Sequence, residues 1–118
     1  MDTLVKQFIE KRDSDDWFTT DLRVNLIWDD SKYVEMISLV KEIILKYKTN
    51  YLIPKDLIYF FSIEVDMIIC ICRNDLFFNI SSNIIGDHTK YKELVENRIS
   101  ELEEMKYKVL FGESEKLW

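Results

Sequence analysis

Residues 53–73 read IPKDLIYFFSIEVDMIICICR, and the fold turns on whether this stretch is a helix or a strand. It is the most apolar segment of the chain and lies near its middle. Wound as a helix, it carries one narrow polar stripe of Lys55, Tyr59, Ser62, Asp66 and Arg73. These fall at steps of three or four residues, with Ile69 filling the gap. Large apolar side chains occupy nearly all the remaining circumference. A helix of that kind belongs in the middle of a bundle. Pro54 suits its first turn, where a missing N–H costs nothing. Extended as a strand, Phe61, Ile63, Val65 and Met67 alternate with Ser62, Glu64 and Asp66, and the β-branched content agrees. Asn74-Asp75 would then turn a hairpin into Leu76-Phe77-Phe78-Asn79-Ile80. We adopt the helix, because it accounts for Pro54 and for the stripe over the whole length, although Glu64 falls off that stripe. The expected fold is all-α: a small antiparallel bundle of about four to six helices around a central apolar helix. The alternative is α+β with a hairpin at about 61–80.

The rest of the composition agrees with long helices. The chain has 118 residues, enough for a single domain (1–118) with a real core. Hydrophobic residues make up 47% and charged residues 32%, while only two Gly and one Pro punctuate the chain. That scarcity argues against a sandwich of short strands and tight turns. Cys70 and Cys72 sit in an aliphatic run, two positions apart, and read as buried free thiols of a reducing compartment. The first residues, MDTLVKQFIEKRD, are charged and amphipathic rather than a signal peptide. The longest apolar run, Met67 to Cys72, is too short for a bilayer. A cytoplasmic location and no membrane association are therefore expected.

Outward from the central stretch, other helices declare themselves by spacing. Asp2 to Arg12 places Leu4, Val5, Phe8 and Ile9 on one face, with Asp2 or Thr3 as cap. Asp13-Ser14-Asp15-Asp16 breaks it. Trp17 to Trp28 is ambiguous, a short helix or an extended segment that packs two tryptophans onto the bundle. Asp29-Asp30-Ser31 opens a helix to about Thr49, with Tyr33, Met36, Ile37, Val40, Ile43, Ile44 and Tyr47 on its apolar side. The short link to Pro54 implies antiparallel neighbours. The last helix runs from about His88 to Val109. It buries Tyr91, Leu94, Val95, Ile99, Leu102 and Met105, and five glutamates make its outside acidic.

Residues that could carry chemistry are few. His88, the only histidine, lies in a polar helix start and reads as a surface residue. One histidine and two aliphatic-flanked cysteines are too little for zinc. There is no glycine-rich phosphate loop and no nucleophile elbow. Asp13, Asp15 and Asp16 lack the glycine and closing glutamate of a calcium loop. Glu64 and Asp66 read as rim carboxylates or as partners of Arg73, Lys55 or Arg98. We expect no enzyme and no cofactor.

What remains is the surface. Net charge is −6 and the sequence pI is about 4.8. Phosphate binding wants a positive surface, so nucleic acid is a poor partner. A basic protein is a good one, since opposite fields speed encounter; solubility alone explains mild acidity equally well. Acidic clusters lie at Asp13 to Asp16, Asp29-Asp30, Glu101 to Glu104 and Glu113/Glu115, several beside aromatics. Trp17 and Trp28 read as core before they read as binding anchors.

A layout of short motifs is set on this frame. Trp28-Asp29-Asp30-Ser31-Lys32-Tyr33-Val34-Glu35-Met36 comes first, then Ile53-Pro54-Lys55-Asp56-Leu57 with Phe60-Phe61. Arg73-Asn74-Asp75-Leu76-Phe77-Phe78 follows, and then Asn97-Arg98-Ile99-Ser100-Glu101-Leu102, closing at Phe111-Gly112-Glu113. From about Trp17 to Glu113 the layout resembles small immunity proteins of bacterial polymorphic-toxin and contact-dependent inhibition systems, the immunity protein 41 type. It departs from them at Asp75, where such families often have proline. The resemblance implies a non-catalytic cytoplasmic protein, a monomer or dimer when alone. Such a protein binds and neutralises the C-terminal domain of a cognate toxin, often a basic nuclease. The contacts it suggests are Asp29, Asp30, Glu101, Glu104 and Trp118. The alternative is a small helical adaptor or self-associating protein with no toxin partner.

Overall fold

The computed structural model describes residues 3–47, 53–74, 76–77 and 88–111, and every regular element among them is helical. The order is α1 (Thr3–Arg12), α2 (Phe18–Thr20) running into a π turn (Asp21–Asn25), and α3 (Asp30–Tyr47). Then come α4 (Lys55–Tyr59), a second π turn (Phe60–Glu64), α5 (Val65–Arg73) and α6 (His88–Phe111). Taking each continuous run once, the described residues form five helices and no strand, as the spacing predicts. Residues 61–73 are helical throughout, which removes the first strand of the alternative hairpin. Asp75 and residues 78–80 of its second half lie outside the described residues, as does Asp2, one of the two caps expected for α1. Contacts divide the chain into two compact units, Met1–Ile58 and Tyr59–Trp118.

In the first unit, α1 buries Val5 and Phe8. It stops where Ser14 folds back, its hydroxyl and N–H both donating to the Lys11 carbonyl at 2.7 and 3.1 Å. Trp17 is extended (φ −107°, ψ 153°) and the chain then winds into α2. The π turn after it ends on Leu26 in the left-handed region at φ 55°. A leucine there costs about 1–2 kcal/mol. The Leu26 and Ile27 N–H groups repay part of this by closing onto the Leu22 and Asp21 carbonyls at 3.1 and 3.4 Å. Phe18 meets Trp28 and Tyr33 edge-on, with centroids 4.6 and 5.4 Å apart, and Trp28 and Tyr33 lie tilted against each other at 5.1 Å. Trp17 meets Phe8 edge to face at 6.2 Å. Both tryptophans are core. On α3, Tyr33, Met36, Ile37, Val40 and Ile43 are buried as expected, Leu39 joins them, and Ile44 and Tyr47 are half-buried. Arg12 donates to Asp56 at 3.0 Å, tying α1 to the first turn of α4.

In the second unit, α5 and α6 pack antiparallel. Asp66 pairs with Lys106, Arg73 pairs with Glu103 at 2.6 Å, and Phe77 stacks on Tyr91 at 6.1 Å. The expected partners of Asp66 (Arg73, Lys55 or Arg98) thus give way to Lys106. The π turn has a local cause and a local effect. Its wider i→i+5 turn takes one extra residue. Adjacent Phe60 and Phe61 thereby both become fully buried, edge to face at 5.0 Å. Glu64, off the polar stripe by sequence, ends this turn half-buried, with Oε2 inaccessible to solvent.

The polar stripe of Lys55, Tyr59, Asp66 and Arg73 is exposed, but the expectation that the rest of residues 53–73 sits in the middle of a bundle is corrected. Leu57, Phe60, Phe61, Val65, Ile68 and Cys72 are buried, whereas Ile58 is exposed and Ile63 is 53% exposed. A helix covered by neighbours along one side buries a stripe, whatever its other residues are. The cysteines follow the same rule: Cys72 is buried and Cys70 exposed. Two positions on a helix are about 200° apart, so both could face the core only in a helix covered on opposite sides. Burial pushes the Cys72 thiol up to about 12 from 9.0. Below pH 9 that burial carries no ionisation penalty. As pH rises toward 12 the unfolded chain ionises first, and this part of the stability is lost. With a chromogenic disulfide reagent near neutral pH, Cys70 reacts at once and Cys72 reacts only as denaturant unfolds the chain. A C70S variant should therefore show no fast phase.

Candidate protein-binding surface

α6 sorts its side chains by period. Tyr91, Val95, Ile99 and Leu102 are buried, while Glu93, Glu96, Asn97, Ser100, Glu103, Glu104 and Tyr107 are exposed on the opposite face. Carboxylates three or four residues apart repel by a few tenths of a kcal/mol, so local helix physics does not favour four on one face. Two are partly offset, Glu103 by Arg73 at 2.6 Å and Glu104 by Lys108 at 2.9 Å. Glu93 and Glu96 have no ion-pair partner among the described residues. Glu96, Ile99, Ser100 and Lys92 also form one wall of a cleft of about 420 Å³. The end of α5 supplies the other wall, with Cys72, Arg73 and Asn74. Its lining mixes both charges with an apolar floor.

The acids of the first unit are more heavily engaged. Asp13, Asp15 and Asp16 are exposed in the turn after α1. Lys32 reaches across to Asp16 at 2.6 Å and Asp21 at 2.7 Å. These hydrogen bonds, first Asp16 and then Asp21, hold the ammonium well above its usual value. For the Arg12 guanidinium, desolvation opposes charge, but the hydrogen bonds to Asp56 and Asp13 outweigh it and raise the pKa.

The residues singled out from sequence are placed differently from one another. Asp29 caps α3, its Oδ1 accepting from the Ser31 hydroxyl at 2.7 Å and from the Ser31 and Lys32 N–H groups at 3.1 and 3.4 Å. The Ser31 hydroxyl, chiefly, lowers the Asp29 pKa below 3.8. Asp30 accepts from the Trp28 indole at 3.2 Å. Both aspartates are half-buried and serve the fold of the first unit. In the second unit Glu101 is half-buried, and the Glu104 side chain is 68% exposed on the outer face of α6. Trp118 lies outside the described residues. Glu93, Glu96 and Glu103 complete the acidic face and were not among the expected contacts; the 93-96-100-103-107 spacing was the signal for them.

Losing the Asp29 cap in D29A should cost about 1 kcal/mol in a urea melt at pH 7. Because the folded pKa is lowered, the ionised cap stabilises above pH 3.8 and its contribution fades as pH falls through the folded value. The gap between wild type and D29A should therefore narrow at pH 2.5.

Among the described residues no group of three or more His, Cys, Asp or Glu side chains could hold a metal. No described helix is long and apolar enough to cross a membrane. No protein-family model, no curated protein and no solved structure matches the chain.

Proposed function

We propose that this chain is an inhibitor of the immunity type, which binds a basic toxin domain in the cytoplasm of the producing cell and neutralises it by occlusion. One observation carries the reading: the outer face of α6 presents Glu93, Glu96, Glu103 and Glu104 beside the exposed ring of Tyr107. Such a face steers a cationic partner by charge, and an aromatic that becomes desolvated in the complex slows its release. Asp29 and Asp30 move out of the contact set, since their carboxylates already serve the chain; Glu104 stays in it. The toxin would be a nuclease or another enzyme with a basic substrate-binding surface, because that surface is the one an acidic face can cover.

The test starts from the gene immediately upstream. If it ends in a basic C-terminal domain, co-expression with this chain should restore growth, and a failure to protect would sink the proposal. In the purified pair, E93K/E96K/E104K should slow association at least ~10-fold at low salt with helical circular dichroism unchanged. The difference should shrink near ~0.5 M salt, where the Debye length is only a few ångströms.

A second reading, a helical adaptor or self-associating protein without a toxin partner, is favoured by one feature. This is the exposed apolar side, at residues 59–70, of the rod formed by α4, the second π turn and α5. It predicts association that salt does not weaken and no preference for basic proteins.

A further inference from the structure

Asp66 and Arg73 both tie α5 to α6, and they do so at different places. Asp66 meets Lys106, which is half-buried, whereas Arg73 sets its Nη2 2.6 Å from Oε1 of Glu103, one of the exposed carboxylates of the acidic face. The Arg73 and Glu103 side chains are themselves 61% and 46% exposed. An exposed pair of this kind contributes little to stability. The neighbouring pair of Glu104 and Lys108 has a local reason, since it spans one turn of α6 with the acid N-terminal to the base, the favoured order in a helix. Arg73 and Glu103 are thirty residues apart and have no such reason. A base in the last turn of α5 suits the helix dipole, but the dipole asks nothing of Glu103. The contact changes the acidic face instead, by laying one of the chain's own guanidinium groups on it.

Building on α6 as the face that meets a basic protein, on which this step rests, we propose that Arg73 is a built-in competitor for that face. Its guanidinium takes, on Glu103, the place of a cationic side chain of the partner, and it is displaced when the partner docks. Displacement is easy in this geometry. The Arg73 side chain is mostly in water, and it borders the cleft of about 420 Å³ between the end of α5 and α6, which leaves it room to swing aside. Without a partner, the contact covers one carboxylate of the face and lowers the pull of that face on any passing cation. A partner whose cations match the face at several points repays the loss of one weak internal pair, whereas a single stray cation does not. Arg73 thus trades some affinity for selectivity.

The test is titration of the full chain into a fluorescently labelled hexa-arginine peptide near ~0.15 M salt, where charges more than about 8 Å apart are largely screened. The peptide presents the same guanidinium chemistry as Arg73. R73Q should bind it at least ~3-fold tighter than wild type, with helical circular dichroism unchanged. In the E103Q background the gain from R73Q should shrink to within ~1.5-fold, because no carboxylate is left there for Arg73 to cover. Equal gains in the two backgrounds overturn the proposal, since Arg73 then acts through net charge alone. An R73Q variant that binds no better than wild type overturns it too. Failure of the acidic-face reading looks different. If the peptide binds wild type and E93K/E96K/E104K alike, or binds neither, the face is not a cation-binding surface and the role of Arg73 falls with it. If the triple variant binds more weakly while R73Q matches wild type, the face stands and only the role of Arg73 falls.

Discussion

Phe61→Ala is expected to lower stability by about 3–5 kcal/mol, against a total of about 5–15 for a domain of this size. The side chain is completely buried, meets Phe60 edge to face at 5.0 Å, and sits in the π turn that brings both rings inward. Truncation removes a phenyl group from a place where the widened turn leaves little scope for collapse, so the transfer and cavity penalties both apply. The measurement is a urea melt followed by circular dichroism, read as a drop in midpoint at constant slope. The control is Ile63→Ala. Phe61 and Ile63 share a face in a strand but lie about 200° apart on a helix. With Ile63 53% exposed, its truncation should cost well under about 1 kcal/mol. Two equal losses would revive the strand reading of this segment and sink the helical one.

Phe18→Ala should be of similar size, about 3–5 kcal/mol, for a different reason. Phe18 is the hub of the aromatic cluster of the first unit, touching both Trp28 and Tyr33 edge-on. Each such pair is worth about 0.5–1.5 kcal/mol beyond area burial. The loss should therefore exceed that of Phe18→Leu by roughly the value of one or two pairs. Tryptophan fluorescence should shift as Trp28 becomes wet. The same cluster offers a finer comparison. The Trp28 indole N–H donates to Asp30 at 3.2 Å, whereas the Trp17 N–H is buried without an acceptor among the described residues. Trp28→Phe loses the hydrogen bond to Asp30, while Trp17→Phe removes a desolvated donor. Both lose similar volume, so Trp28→Phe should be the costlier by about 1–2 kcal/mol.

These two sites also show how far local pattern reaches. The apolar spacing of Tyr33, Met36, Ile37, Val40 and Ile43 was legible because period and burial coincide on α3, which is polar on its other side. α6 was legible for the same reason, and its acidic outer face follows directly from the 3.6-residue period. Asp29 was legible as a helix start, but its carboxylate could serve a cap or a partner, and only the contact with Ser31 decides for the cap. The rod was the hard case. With Ile58, Ile63, Met67, Ile69 and Ile71 spread around it, hydrophobicity names no face.

The amino-acid sequence by itself determined that this protein is helical, with three-four apolar spacing, Asp29 and Pro54 at helix starts and almost no glycine or proline to interrupt the runs. It also determined the excess of acid. The tertiary structure alone decided which side of the rod is covered, why Phe60 and Phe61 both point inward, which cysteine meets solvent, and that Leu26 is held left-handed. Helix formation and capping depend on neighbours within four residues, which the sequence places side by side. Choosing a buried face depends on what packs there, and for α5 that is a helix some thirty residues further along the chain.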